Sequence, residues 1–216
     1  MQEAKPSAAE DIEARSFAVI EKEVGHPRPF HGTEWLVVRR LIHTSADFEL
    51  LDLVQFHPEA LTAGTEALKN GCLVVTDTEM ARAGVSSARM ERLGCRVACH
   101  MREPAVAEQA LRNGTSRAAA AVDYAAPELN GAICVVGNAP TALIRLIELV
   151  RGGICRPALI VGMPVGFINA AESKDLLVRQ ERIPYITIRG RKGGSALAAT
   201  TVNQLAILAL EAPDRN

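Results

Sequence analysis

Short aliphatic runs alternating with helical stretches constrain this chain more than any other feature of its sequence. The runs are "CLVVTD" (72–77), "RVACHM" (96–101), "AICVVGN" (132–138), "PALIVGMP" (157–164) and "PYITIRG" (184–190). Each reads as a continuous apolar block, the pattern of a strand covered on both faces. Ala- and Leu-rich stretches lie between them, among them "EPAVAEQALRNG", "SRAAAAVDYAAPEL", "APTALIRLIELVRGG" and "AAESKDLLVRQ". Strands joined by helices lie parallel, with the helices packed on the sheet. The expectation is therefore an α/β fold, a three-layer α/β/α arrangement around a doubly wound, mainly parallel sheet. Hydrophobic residues make up 48% of the chain but aromatics only 4%, so the core must be built from Ala, Val, Leu and Ile. That bias suits this fold better than a β-sandwich.

An N-terminal helical arm is expected ahead of the sheet. In "AAEDIEARSFAVIEKEV", Phe17, Ile20 and Val24 share one stripe, with Ser16 beside it. "GHPRPFHG" breaks that helix, and a second runs from about Thr33 to Ser45. "SALAATTVNQLAILAL" reads as the last helix. Residues 1–216 are read as a single domain in which 1–10 are flexible.

The formal charge is −1, from 24 basic and 25 acidic residues. Nothing global steers the chain to nucleic acid or to an anionic membrane, so any anion site must be local. The opening is polar and no apolar run reaches the ~18 residues of a membrane span, so a cytoplasmic location is expected. Five cysteines occur without a CxxC pair. Cys95, Cys99 and His100 raise the thought of a soft metal, but "CRVACHM" reads as a strand and no second ligand pair has suitable spacing. Structural or free thiols are expected, and no protein metal site.

Three consecutive strand ends carry unusual turns, and ligands of open α/β sheets bind at strand ends. In "VVGNAPTAL", Gly137 lets the chain turn, Asn138 is placed to cap the next helix and Pro140 fits its first turn, ahead of Thr141. "VGMPVGFINAAESKD" holds Gly162, Met163, Val165 and Gly166 around a proline. In "ITIRGRKGGSA", Gly190, Gly193 and Gly194 allow close backbone approach, and Ser195 is placed to cap the last helix. Arg189, Arg191 and Lys192 concentrate charge there, with Arg182 upstream. Helix N–H groups with fixed cations make an anion site, although glycine turns with solvated cations have the same spelling. "GRKGGSA" lacks the ending of a phosphate-binding P-loop, and the other turns lack GxGxxG spacing. Dispersed cations and caps suit a polycarboxylate better than a nucleotide.

His43, in "RRLIHTSADFE", shares a helical stripe with Leu36, Arg39, Arg40 and Asp47. A histidine with an ordinary pKa of ~6.5 is readily poised for proton donation by such neighbours. Spacing alone leaves open whether it does chemistry or lies solvated on a helix. No GxSxG elbow, catalytic cysteine context or HExxH spacing competes with it.

Together "SFAVI", "RRLIHTSADFE", "NGTSRAA", "VVGNAPTAL", "VGMPVGFINAAESKD" and "RGRKGGSALAATTVNQLA" closely resemble the precorrin-8X methylmutase family, in the family's order, from about Ile12 to Leu208. The resemblance implies an isomerase of cobalamin biosynthesis that moves a methyl group from C11 to C12 of a corrinoid, giving hydrogenobyrinate or cobyrinate. It places His43 on the family's catalytic histidine, a proton donor to a ring nitrogen. It places Ser16, Arg40 and Arg117 on substrate-contacting positions. It also implies a homodimer with active sites near the interface, and no cofactor supplied by the protein. "IHTSADFE" is more like the cobalt-dependent members, so cobalt-precorrin-8 is the expected substrate, its metal arriving within it. A corrinoid carries many carboxylates around an apolar disc, which agrees with the turns: Gly137, Asn138, Thr141, Gly162, Met163, Val165, Gly166, Arg189, Arg191, Lys192, Gly193, Gly194 and Ser195 are the expected substrate-binding set. Arg189 and Lys174 could equally pair with nearby carboxylates such as Glu172. A corrinoid carrier without chemistry and a nucleotide-dependent enzyme are the competing readings.

Overall fold

The computed structural model describes residues 8–211; residues 1–7, part of the segment expected to be flexible, lie outside the described residues. Helices α1 (Ala8–Val24), α2 (Gly32–Ser45) and α3 (Leu50–Leu53) precede strand β1 (Val54–Phe56). Then follow α4 (Ala60–Lys69), β2 (Leu73–Thr76), α5 (Glu79–Gly84), α6 (Ser87–Arg92) and β3 (Arg96–Ala98). The second half runs α7 (Pro104–Asn113), α8 (Arg117–Ala125), β4 (Ile133–Val136), α9 (Pro140–Arg151), β5 (Leu159–Gly162), α10 (Ala170–Arg179), β6 (Tyr185–Ile188) and α11 (Ser195–Glu211).

The strands form one sheet in the order β1-β6-β5-β4-β2-β3. All neighbours are parallel except β1, which runs antiparallel to β6 in the register Val54↔Ile188. The five runs read from the sequence are β2 to β6. The edge strand β1 was not foreseen, because three residues following a helix give no period to read. Helices α5 and α6 were missed as well, each being six residues long.

Continuous apolar strands supply two cores at once. Along β4, Ile133 and Val135 join one buried cluster while Cys134 and Val136 join the other. The first cluster lies under α2, α4 and α11, and the second under α8, α9 and α10. Full burial of a Leu or Ile side chain contributes about 1.5–3 kcal/mol, so the aliphatic stripe of α2, with Leu41 and Ile42 buried, is enough to dock it. Helix α11 is apolar on most of its surface because it lies against α2, α4 and α5 as well as the sheet.

The end of α2 has its own device. Ala46 takes a left-handed conformation (φ 53°) and its N–H donates to the Ile42 carbonyl at 2.7 Å. Asp47 Oδ1 then accepts from Glu49 N–H at 3.0 Å, so the chain turns back within three residues. An alanine in this conformation is strained by about 1 kcal/mol. Ala46→Gly is expected to stabilise the fold by about that amount, read as a higher urea midpoint at unchanged slope.

Candidate active site

The site is built where α1, the end of α2 and the loops after β4, β5 and β6 meet. On α2, Phe17 of α1 serves as a common floor. The guanidinium of Arg39 lies 4.3 Å and that of Arg40 4.6 Å from its ring centre, and the His43 ring centre is 5.2 Å away. Helix α1 is held there by Glu21, which accepts from Trp35 Nε1 at 2.7 Å and Arg39 Nη1 at 2.9 Å, and also from Arg28. Burial pushes the Glu21 carboxyl up, but these donors pull it below its ordinary value. Arg40 is shared between Glu13, at 2.7 Å, and Gln204 of α11, at 3.2 Å. His43 itself is exposed, on the turn whose next residue, Thr44, reaches Thr200 of α11 at 3.2 Å.

The three glycine turns do converge, and much of their close approach is to one another. A Cβ on Gly137 would lie 2.7 Å from Ser195 Cα, and one on Gly193 would lie 2.2 Å from the Met163 carbonyl oxygen. Gly162 is a packing glycine: a Cβ there would meet Leu177 Cδ2 at 2.4 Å. Gly194 N–H donates to the Met163 carbonyl at 2.9 Å, and Gly166 N–H to the Arg191 carbonyl at 3.2 Å. Gly166, Gly190 and Gly194 have positive φ and open space on the side where a Cβ would stand.

Two expected caps are corrected. Asn138 does not cap α9; the cap position is Ala139, and the donors of this turn are satisfied by Asp77. Its carboxylate, at the end of β2, accepts from Gly137 N–H at 2.9 Å, Asn138 N–H at 2.8 Å and Ala139 N–H at 2.7 Å. These N–H groups are thus bound internally and are not left for a ligand. Burial pushes the Asp77 carboxyl up against the opposing pull of the three donors. Ser195 is the first residue of α11 and does not serve as its cap; its hydroxyl meets Thr78 Oγ1 at 2.9 Å, while Gly194 supplies the carbonyl to Ala198 N–H.

The basic loop after β6 divides. Lys192 Nζ bonds Asp47 Oδ2 at 2.5 Å and Glu49 Oε2 at 2.8 Å, clasping the turn that follows His43. The hydrogen bond from Lys192 holds the Asp47 carboxyl below its ordinary value. Arg191 is exposed with its guanidinium 5.5 Å from the Phe167 ring centre. Arg189 is exposed at the edge of the sheet, its N–H extending the β1–β6 pairing to the Leu53 carbonyl at 2.8 Å. Lys174 does not reach Glu172: its ammonium, 1% exposed as a residue, donates to the Lys192 carbonyl at 2.6 Å.

Ser16 lies beside Phe17 on α1 and donates to the Ile12 carbonyl at 2.9 Å. Arg117 and Thr141 are exposed at the starts of α8 and α9, where Ser116 Oγ bonds Thr141 Oγ1 at 2.7 Å. Both belong to the layer opposite α2. Cys95 and His100 are not gathered into a metal site, because β3 lies between them and Cys95 Sγ is engaged with the Leu68 carbonyl at 3.2 Å. His100 is not satisfied in the way a sheet-end histidine usually is: its Nε2 is buried without a hydrogen-bond partner.

Sequence reading missed Asp77 and the exposed pair Phe167 (84%) and Ile168 (80%), which stand beside Val165 on the β5–α10 loop. Two large apolar residues in a glycine-flanked turn were the available signal for the pair. Nothing in the spacing of Asp77, some 60 residues from its donors, signals its role.

Comparison with known proteins decides the kinship. The sequence pattern of the precorrin-8X methylmutase family matches residues 11–208. This chain belongs to that family. A cobalt-precorrin-8 methylmutase of Leptospira interrogans is 41% identical over 212 residues, covering 95% of this chain and 96% of the relative. A precorrin-8X methylmutase of Pseudomonas aeruginosa is 41% identical over 196 residues, covering 90% and 93%. The crystal structure of the precorrin-8X methylmutase from Thermus thermophilus superposes with a TM-score of 0.85 at 42% identity, covering 92% and 95%. As a methylmutase of this family the protein is an isomerase of cobalamin biosynthesis.

Two outcomes follow from this site geometry. Asp77→Asn turns an N–H₂ group towards backbone donors, and is expected to cost about 1–3 kcal/mol, measured as a lower urea midpoint. Burial lowers the Lys174 ammonium from 10.5 to about 8. Between these values the unfolded chain binds the additional proton, so stability rises as pH goes from about 8 to 10.5. At 1.36 kcal/mol per unit the increment is about 3 kcal/mol, expected in the wild type and absent from Lys174→Met when both are melted across that range.

Proposed function

We propose that this chain moves a methyl group from C11 to C12 of a precorrin-8-type corrinoid, with His43 as the general acid. The position of His43 carries the reading. It is exposed on α2 with its ring on Phe17, between the paired Arg39–Arg40 side and the turn clasped by Lys192. Protonating, or hydrogen-bonding to, a ring nitrogen beside the migrating group draws electrons from the conjugated system. The bond to C11 breaks as the bond to C12 forms, so product and substrate have one composition and no redox partner is consumed. The reading accordingly assigns no resident metal or organic cofactor.

Ser16, Arg40 and Arg117 are the substrate contacts that the family motifs propose, and exposed Arg191 adds charge for the acetate and propionate groups, whereas Lys192 is engaged by Asp47 and Glu49. Exposed Val165, Phe167 and Ile168 supply apolar surface, suited either to the face of the macrocycle or to a second subunit. We place the second subunit there, making the active form a homodimer with each pocket near the interface. Among the described residues no helix is long and apolar enough to cross a membrane, and we assign the enzyme to the cytoplasm. A relative named cobalt-precorrin-8 methylmutase and one named precorrin-8X methylmutase are each 41% identical to this chain, so the choice of cobalt-precorrin-8 rests on "IHTSADFE". In this chain Asp47 and Glu49 of that segment bind Lys192.

The test is conversion of cobalt-precorrin-8, and separately of metal-free precorrin-8, by wild type and His43→Ala. Isomers of unchanged mass are resolved by chromatography and absorbance, with corrinoid binding measured alongside. Wild-type turnover and a loss of about 10²–10⁴-fold in the variant, with binding retained, are expected. Wild-type rates in the variant would remove His43 as the acid. Corrinoid binding by both proteins with conversion by neither would make the chain a carrier.

A further inference from the structure

Lys174 is a buried cation that the proposed chemistry does not use. It lies on the first turns of α10, 1% exposed, and among the described residues no carboxylate forms an ion pair with it. Its hydrogen bond, at 2.6 Å, goes to the main-chain carbonyl of Lys192. Burying an ammonium lowers stability, and an apolar side chain of similar volume would fill the same space without that cost. Stability therefore does not account for a lysine here. What it holds does.

Lys192 is fixed from both ends of its peptide unit. Its carbonyl is bound from beneath by Lys174, and the next residue, Gly193, lies so close to the Met163 carbonyl that no side chain fits between them. Its side chain then spans to Asp47 and Glu49, at 2.5 and 2.8 Å, on the turn that ends α2. The buried ammonium thus sits at one end of a short series that leads from α10, through the basic loop, to the turn four residues beyond His43.

We propose that Lys174 is a positioning residue, which by holding the Lys192 carbonyl sets the basic loop over the end of α2 in the geometry that receives the substrate's carboxylates. The inference rests on the proposed reading of the site as a corrinoid pocket. Lys174 does not touch the substrate; it acts through Lys192.

The decisive comparison is the full chain against Lys174→Met, with readouts that a core-packing role would not move. One is the titration of the Asp47 carboxyl by NMR, which Lys192 holds below its ordinary value. A second is amide exchange over residues 190–194. A third is the steady-state split with cobalt-precorrin-8. In Lys174→Met the Asp47 titration is expected to move up towards the ordinary carboxylate range, and loop exchange to quicken by about tenfold or more. KM for the corrinoid should rise about tenfold with kcat changed by less than about threefold, the pattern of lost ground-state binding.

Unchanged Asp47 titration and loop exchange, whatever happens to the melting temperature, would overturn the proposal and leave Lys174 a core residue. Should the Met variant fail to fold, Lys174→Gln serves instead, since it keeps an N–H donor on a shorter side chain. A partial rise in the Asp47 titration is expected there, and no rise would count against the proposal equally. The NMR and exchange measurements need no substrate. A wild type inactive on precorrin-8 would therefore sink the corrinoid reading, while those two measurements would still decide whether Lys174 holds the loop.

Discussion

The contact between the Gly193 backbone and the Met163 carbonyl is the constraint around which this end of the molecule is arranged. With a Cβ at Gly193 placed 2.2 Å from that oxygen, the loops after β5 and β6 can pack only as main chain on main chain. The same carbonyl accepts from Gly194 N–H, Met163 N–H donates to the Val136 carbonyl, and Gly137 packs on Ser195. Three loops that separate strands would otherwise hold apart become one surface. From that surface α11 departs, and against α11 lies α2 with His43.

Charge is distributed over this frame in two regimes. At the surface, Lys192 with Asp47 and Glu49 forms a solvated cluster whose value lies in geometry, since exposed pairs contribute little to stability. Away from solvent, Asp77 and Lys174 are buried ionisable groups bound to main chain, one to three N–H groups and the other to a carbonyl. Each ties a loop to a neighbouring element through hydrogen bonds that have no alternative partner in water. Such groups specify a single loop conformation at a cost in stability, which is reasonable where backbone must face a ligand rigidly.

Much of the fold could be read from the chain because its signals are local. Runs such as "AICVVG" and "PALIVGMP" are apolar on both faces only if helices cover both, and β4 and β5 are where they were expected. The strand β1 and the helices α5 and α6 escaped because each is too short to show a period. Within the site, the convergence of the three turns was legible from their place at successive strand ends. Their purpose was misjudged in part: Gly137, Gly162 and Gly193 admit other parts of the same chain, and the N–H groups of Gly137 and Asn138 already hold Asp77. A glycine announces a close approach without saying to what.

What the sequence by itself determined is the layered α/β architecture, the stripe that docks α2, and the family motifs that single out His43. Periodicity and short motifs act over a few residues, so they survive in one dimension. Only the tertiary structure decided that Asp47 faces Lys192, 145 residues away, that Asp77 satisfies the turn after β4, and that Lys174 lies under the basic loop and away from Glu172. Those pairings depend on strand order and on how loops stack at the sheet's end, and no spacing along the chain encodes which charge meets which carbonyl across it.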